Sequence, residues 1–190
     1  MTIKTTKNNE QVYVYRIDKN NNIIYVSDNW STFAKDNDAS DSCIPPFVFG
    51  KSLFDFISDK ESRHLYSIII ETVRDKNRSV RIPIRCDSPQ LRRFMEITVK
   101  ALPGNQVEFS SKVIRIEQRD NLRILNATAD RSKEIVRICS YCKKIAISDE
   151  EWIDAEKAIE LLDLFKSVKL PQLTHGVCPV CYESLMANLK

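Results

Sequence analysis

Glycine is scarce in this chain: three residues in 190, at Gly50, Gly104 and Gly176. Isolated glycines cannot write a GxGxxG turn or a P-loop, whose phosphate contacts need several positions free of a Cβ. Dinucleotide binding and P-loop nucleotide chemistry are therefore excluded. Histidine is as sparse, with His64 and His175 the only two. A Ser-His-Asp centre or a phosphoaccepting histidine has little to draw on, and no catalytic constellation emerges. No apolar run approaches the ~18 residues that a membrane-spanning helix needs. The polar residues 1–10 lack the apolar core of a secretion signal. Charge is nearly balanced, 29 basic against 26 acidic residues, which demands neither a membrane nor a nucleic-acid partner. The expectation is a cytoplasmic protein that is not an enzyme. Its length suits one ordinary domain plus a small one.

What is present begins with strand patterns. Residues 11–18 (QVYVYRID) alternate aromatic or β-branched with polar side chains, and 23–27 (IIYVS) follow after an Asn-rich turn. Asp28 then precedes a short helix over 29–36, and residues 37–50 read as a loop. Residues 52–57 form a short apolar turn or helix. Ser58 or Asp59 caps a longer helix to about residue 74, with Leu65, Ile68, Ile69, Thr72 and Val73 as its apolar stripe. Three strands follow over 79–85, 91–102 and 106–117, the last two joined by a tight turn at Pro103, Gly104 and Asn105. In the second of these, Met95, Ile97, Val99 and Ala101 share a face. Five strands with helices grouped between the second and third predict an α+β fold. Its antiparallel sheet is covered by helices on one face.

The cysteines divide the chain further. Cys43 and Cys86 stand alone, whereas Cys139, Cys142, Cys178 and Cys181 form two CxxC pairs. Such pairs in an unsecreted chain point to zinc: each tight turn aims two thiolates at one point, and two turns complete a tetrahedron. His175, three residues before Cys178, is an alternative ligand or a residue packing behind the ligands. Between the pairs, 143–147 reads as a strand, 148–151 as a turn or capping box, and 154–166 as a helix. Residues 179–189 read as a closing helix with Pro179 at its first position and Cys181 in its first turn. Lys143 and Lys144 are placed to offset the negative charge of a four-thiolate site. Four thiolates leave no open position on the ion, which argues for a structural metal.

Residues 13–30 (YVYRIDKNNNIIYVSDNW), 49–58 (FGKSLFDFIS) and 107–117 (VEFSSKVIRIE), in that order of elements, resemble a PAS domain. This is a sensory and interaction module of bacterial signalling proteins. The CSYCKK…W…THGVCPVC pattern resembles C-terminal cysteine modules that follow sensory or receiver domains in such proteins. RCDSPQLRRFMEITV and LPQLTHGVCPVCYE are similar to one group of small bacterial proteins that join the two. The resemblance implies a PAS-like sensory domain over 10–117, a linker over 118–137 and a zinc-binding module over 138–190. It implies a signalling function: binding a ligand of unknown identity, or a signalling protein partner, with a homodimer as a further expectation.

Other residues carry weaker signals. A histidine on the long helix binds haem in some PAS sensors, but His64 lies off the apolar stripe, which argues against haem. The reactive-cysteine motif of flavin photosensors is absent, which argues against flavin. Arg81, Arg85, Arg92 and Arg93 gather around the turn at 86–90 as a candidate anion or partner patch, or pair with nearby acids. A transcriptional regulator binding nucleic acid is one rival, disfavoured by the acidic stretch 149–163. A redox sensor that releases zinc as its thiols oxidise is another. The expected consequence of removing metal is melting of the tail after Arg137, with the first domain spared.

Overall fold

The computed structural model describes residues 12–36, 43–163 and 169–189. Gln11, residues 37–42 of the expected loop, and Leu164, Phe165 and Lys166 of the expected helix lie outside them. The fold is mixed α and β, built on two sheets. The first has five antiparallel strands: β1 (Val12–Ile17), β2 (Ile23–Val26), β3 (Val80–Arg85), β4 (Leu91–Leu102) and β5 (Gln106–Gln118). Their order across the sheet is β2-β1-β5-β4-β3. Helices α1 (Trp30–Asp36) and α2 (Lys60–Lys76), with a 3-10 turn at Leu53–Phe56, fall between β2 and β3.

The alternation that predicts β1 is what the sheet uses. Tyr13, Tyr15 and Ile17 turn inward and are buried. So do Met95, Ile97 and Val99 on β4, and Val107, Phe109 and Val113 on β5. On the other face Glu108 accepts from Arg16 Nε at 2.7 Å and Lys100 Nζ at 2.9 Å, both its cross-strand neighbours. Helix α2 starts where Asp59 accepts from the Ser62 amide at 2.7 Å and ends at Asn77, whose φ of 46° is the left-handed stop of a C-cap. Its buried face is Leu65, Ile69, Ile70 and Val73. Ile70 thus replaces Thr72 in the expected stripe, because the sheet lies nearer the 66/70 row than spacing alone reveals.

The second sheet has four strands: β6 (Arg131–Cys139), β7 (Ile145–Ala146), β8 (Trp152–Ile153) and β9 (Leu170–Gly176), in the order β8-β7-β6-β9. Helix α3 (Ala155–Leu161) lies in the crossover that makes β6 and β9 parallel, and α4 (Pro179–Leu189) closes the described chain. Two expectations change here. Most of β6 lies within 118–137, a stretch expected to be a connector. Its outer half is Ser132, Lys133, Glu134 and Ile135, three of them exposed, so no alternation is visible. The same stretch also supplies Leu122 and Ile124 to the core shared by Ile138, Ile145, Ala158, Ile159 and Leu170. Strand β9 had no expected element at all. The stretch 148–151 is a turn: the Ser148 hydroxyl accepts from the Glu151 amide and the chain folds back into β8. No described helix is long and apolar enough to cross a membrane.

Candidate metal centre and apolar cavity

Parallel pairing of β6 with β9 brings the two CxxC turns together. The register sets Cys139 opposite Gly176, and the Ser140 amide donates to the Gly176 carbonyl at 2.8 Å. Each strand therefore ends beside the other, and each continues into a thiol-bearing turn. The first turn is closed by Cys139 N–H to the Lys144 carbonyl at 2.8 Å and by Lys143, whose φ of 61° lets the chain reverse. The second runs straight into α4, so Cys181 stands in that helix's first turn, with Pro179 as its first residue. Space at Gly176 is tight, and a larger residue there requires its neighbours to give by a few tenths of an ångström. A Cβ there would lie 3.1 Å from Arg137 Cδ and 3.1 Å from Glu61 Oε2.

The sulfurs of Cys139, Cys142, Cys178 and Cys181 lie within 4.8 Å of one another, Cys139 and Cys178 buried and the other two half-buried. Sγ of Cys142 is 3.7 Å from Sγ of Cys178, across the two turns. A tetrahedral zinc with Zn–S bonds of about 2.3 Å sets its sulfurs about 3.8 Å apart. The donor set therefore fits a thiophilic divalent ion such as zinc. None of the six cysteines forms a disulfide. His175 is not in the group: it stands on β9 and lines a separate hollow with Asp59 and Ser140.

Proton sharing in this group shows why a cation belongs there. The Cys139 thiol is held far below its ordinary value, first by the Cys142 and Cys181 side chains that donate to it, then by backbone amides. The Cys178 amide reaches its sulfur at 3.5 Å. The same contacts work against further ionisation. Cys142 is pushed up to about 12, chiefly because its proton is held by Cys139, and Cys181 is raised further by Cys139 and Cys142. Binding a divalent ion requires thiolates and so displaces the protons these side chains hold. Lys143 lies close enough to Cys139 for its charge to be felt, and its Nζ donates to the Ser140 carbonyl at 2.8 Å.

Four residues of α2, β3 and the link between them, Glu61, Lys76, Arg78 and Arg85, hydrogen-bond the thiol-bearing turns and α4. The Arg85 amide donates to the Tyr141 carbonyl at 2.7 Å, and its guanidinium to the Cys142 carbonyl at 3.1 Å. Glu61, in the first turn of α2, accepts from the Val177 amide at 2.8 Å. Lys76 and Arg78 donate to the Leu189 and Asn188 carbonyls, satisfying the end of α4. Apolar packing is continuous as well. Cys139, Tyr141, Val177, Cys178, Leu185 and Leu189 belong to the same core as Ile69, Val80, Ile82 and Phe109.

The arginines of the candidate patch are placed differently from one another. Arg85 pairs with Asp87, and Arg92 pairs with Glu156 at 2.6 Å. Arg93 donates to the Cys86 carbonyl, while Arg81 faces solvent on β3. Asp87, 1% exposed at its side chain, also pairs with Arg119 at 3.2 Å, and Arg119 in turn meets Glu156 at 3.1 Å. Arg119, Glu156 and Glu61 are structural keystones that the sequence analysis did not single out. Arg119 lies in a stretch read as connector, and nothing local marks Glu61 as reaching a residue more than a hundred positions away.

Behind the first sheet is an apolar cavity of 190 Å³, lined by Tyr15, Val26, Trp30, Val48, Leu53 and Tyr66 among others. Trp30 is held by its indole N–H donating to the Cys43 carbonyl at 2.9 Å. Burial, then the Tyr66 phenol, keep the Tyr15 hydroxyl protonated, well above its ordinary value. His64 is exposed on α2 and does not line this cavity. No protein-family model matches the chain, and no curated protein matches it in sequence.

Proposed function

We propose that this chain is a non-enzymatic signalling protein in which a PAS-like domain responds to a small apolar ligand or a protein partner. A structural zinc ion held by Cys139, Cys142, Cys178 and Cys181 fixes the second sheet against it. The observation that carries the reading is the core shared by the thiol-bearing turns and the sheet that walls the cavity. A change in the cavity acts on Phe109 and α2, and these pack in one body with the residues flanking the thiols. The element order, two strands, helices, then three strands, and the cavity between sheet and helices support the PAS-like assignment. The four-sulfur donor set supports zinc and a scaffolding role, since it leaves no open position for substrate. A cytoplasmic setting suits six cysteines without a disulfide.

A thiol redox sensor is the second reading, and one observation favours it. Cys142 and Cys178 are 3.7 Å apart across the turns, near enough for a disulfide to form with little movement once the ion leaves. One sample of freshly purified protein tests the leading reading by elemental analysis, absorption spectroscopy and native mass spectrometry. The expected result is one zinc per chain, no haem or flavin bands, and a metal content that survives mild peroxide. A chain without stoichiometric metal overturns it, and zinc release with loss of two thiols replaces it by the redox sensor.

A further inference from the structure

A second hollow, of 230 Å³, opens where the first turn of α2 meets the second sheet. Its wall includes Phe56, Asp59, Ser62 and Tyr66 from one side and Ser140 and His175 from the other. Asp59, Ser62 and His175 belong neither to the thiol cluster nor to the apolar cavity. Three of them have unmet hydrogen-bonding capacity. Ser62 is only 4% exposed, yet its hydroxyl has no partner among the described residues. A buried hydroxyl without a partner calls for an explanation. Asp59 uses Oδ1 to cap α2 at 2.7 Å, but its Oδ2 meets only the Ser140 hydroxyl, at a long 3.4 Å. The His175 side chain, on an exposed residue of β9, makes no hydrogen bond among the described residues, and desolvation, then the nearby Lys143 charge, lower its imidazole from the ordinary value. A neutral imidazole has a lone pair to offer.

We propose that this hollow binds the primary ammonium group of a small organic cation. The carboxylate, the hydroxyl and the neutral imidazole can all accept, and the only charged one is negative. A primary ammonium carries three N–H donors and no acceptor, so it suits a wall that offers only acceptors. An anion meets Asp59 at close range. A neutral alcohol leaves the carboxylate unbalanced, and a quaternary ammonium has no N–H to give. The rings of Phe56 and Tyr66 offer apolar wall for a short alkyl chain and π faces toward the cation. Two neighbouring cations are already committed, Lys143 to the Ser140 carbonyl and Arg63 to the Ile57 carbonyl. An occupant spans α2 and the β6–β9 pair and joins the two sheets at a second point. The proposal does not depend on the sensory reading.

The test is a titration of the full ¹⁵N-labelled chain with n-butylammonium chloride, set beside butan-1-ol and tetramethylammonium chloride at equal ionic strength. Saturable shifts are expected at the amides around Ser62, Ser140 and His175, with both comparison molecules at least about tenfold weaker, as loss of a charge-assisted bond implies. Asp59→Asn keeps an N-cap acceptor but removes the charge, and is expected to weaken butylammonium by about tenfold or more. Equal binding of butan-1-ol, unchanged binding in Asp59→Asn, or shifts mapping elsewhere overturns the proposal. Should Asp59→Asn fail to fold, the ratio of butylammonium to butan-1-ol affinity in the unaltered chain decides by itself.

Discussion

The two sheets are held by different means. In the first, β4 and β5 pair along twelve and thirteen residues, and the interior holds Phe109, Leu65, Ile17, Ile69 and Val99 at 0% exposure. Each such side chain contributes roughly 1.5–3 kcal/mol on burial, so this region has an apolar core of its own. In the second, β7 and β8 are two residues each, and two of the eight buried core residues are alanines. So small a core does not offset the conformational entropy of ordering its loops. The deficit is met by the four thiols, by the main-chain bonds from Arg85 and Glu61, and by α4 packing into the neighbour's core. A region poor in apolar burial is thus ordered by chemistry at its edges.

Metal removal tests this contrast most severely. Structural zinc in small domains carries an apparent ~10–16 kcal/mol of folding free energy. A chelator, or Cys178→Ser, is therefore expected to abolish amide protection across β6, β9 and α4 in hydrogen exchange. Because Cys139, Tyr141, Val177 and Leu185 share a core with Val80 and Ile82, protection of β3 should fall too. This revises the simpler expectation that the first region is spared. Unchanged protection of β3 would show that the regions are separable. A smaller effect is expected for Asp87→Ala, which leaves the 5% exposed Arg119 side chain with only part of its charge compensation. Breaking a buried pair costs ~3–5 kcal/mol, and the remaining Glu156 contact sets the expected loss at the lower end, read from urea midpoints.

Glu61→Ala comes next. It removes the acceptor of the Val177 amide and is expected to cost ~1–3 kcal/mol, with the loss of protection confined to the second CxxC turn and α4. The smallest effect concerns acid. Burial alone raises the Glu108 carboxyl, but bonds from Lys100 and Arg16 outweigh this and hold it below its ordinary value of 4.5. A carboxylate whose folded value is depressed adds stability above its unfolded value, and that stability is lost as pH falls through the folded one. Unfolding midpoints should therefore decline below about pH 4.5, and Glu108→Gln should show a shallower decline in that range. An identical decline in the variant would remove Glu108 from the account.

The first sheet was legible because period-2 burial is written on β1 and β4, and because Asp59 and Asn77 punctuate α2. The sulfur cluster was legible from spacing alone, since each CxxC pair forces its thiols to one point. Strand β6 was hidden because Lys133, Glu134 and Ile135 are exposed where its pairing with β9 is interrupted, and β9 because Pro171 and Gly176 read as breakers. A partial signal was available: Ile135, Val136 and Ile138 precede the first CxxC pair, Leu173 and Val177 the second, and two strands that end at one metal site have reason to pair. The bonds from Glu61 and Arg119 left no such trace, because each depends on an approach between segments far apart in the chain.

X-ray absorption at the zinc edge on freshly purified protein tests the central claim most directly. The account predicts a shell of four sulfur atoms at about 2.3 Å, one ion per chain, with no nitrogen or oxygen neighbour. A shell in which His175 or water replaces sulfur, or the absence of stoichiometric zinc, would contradict it.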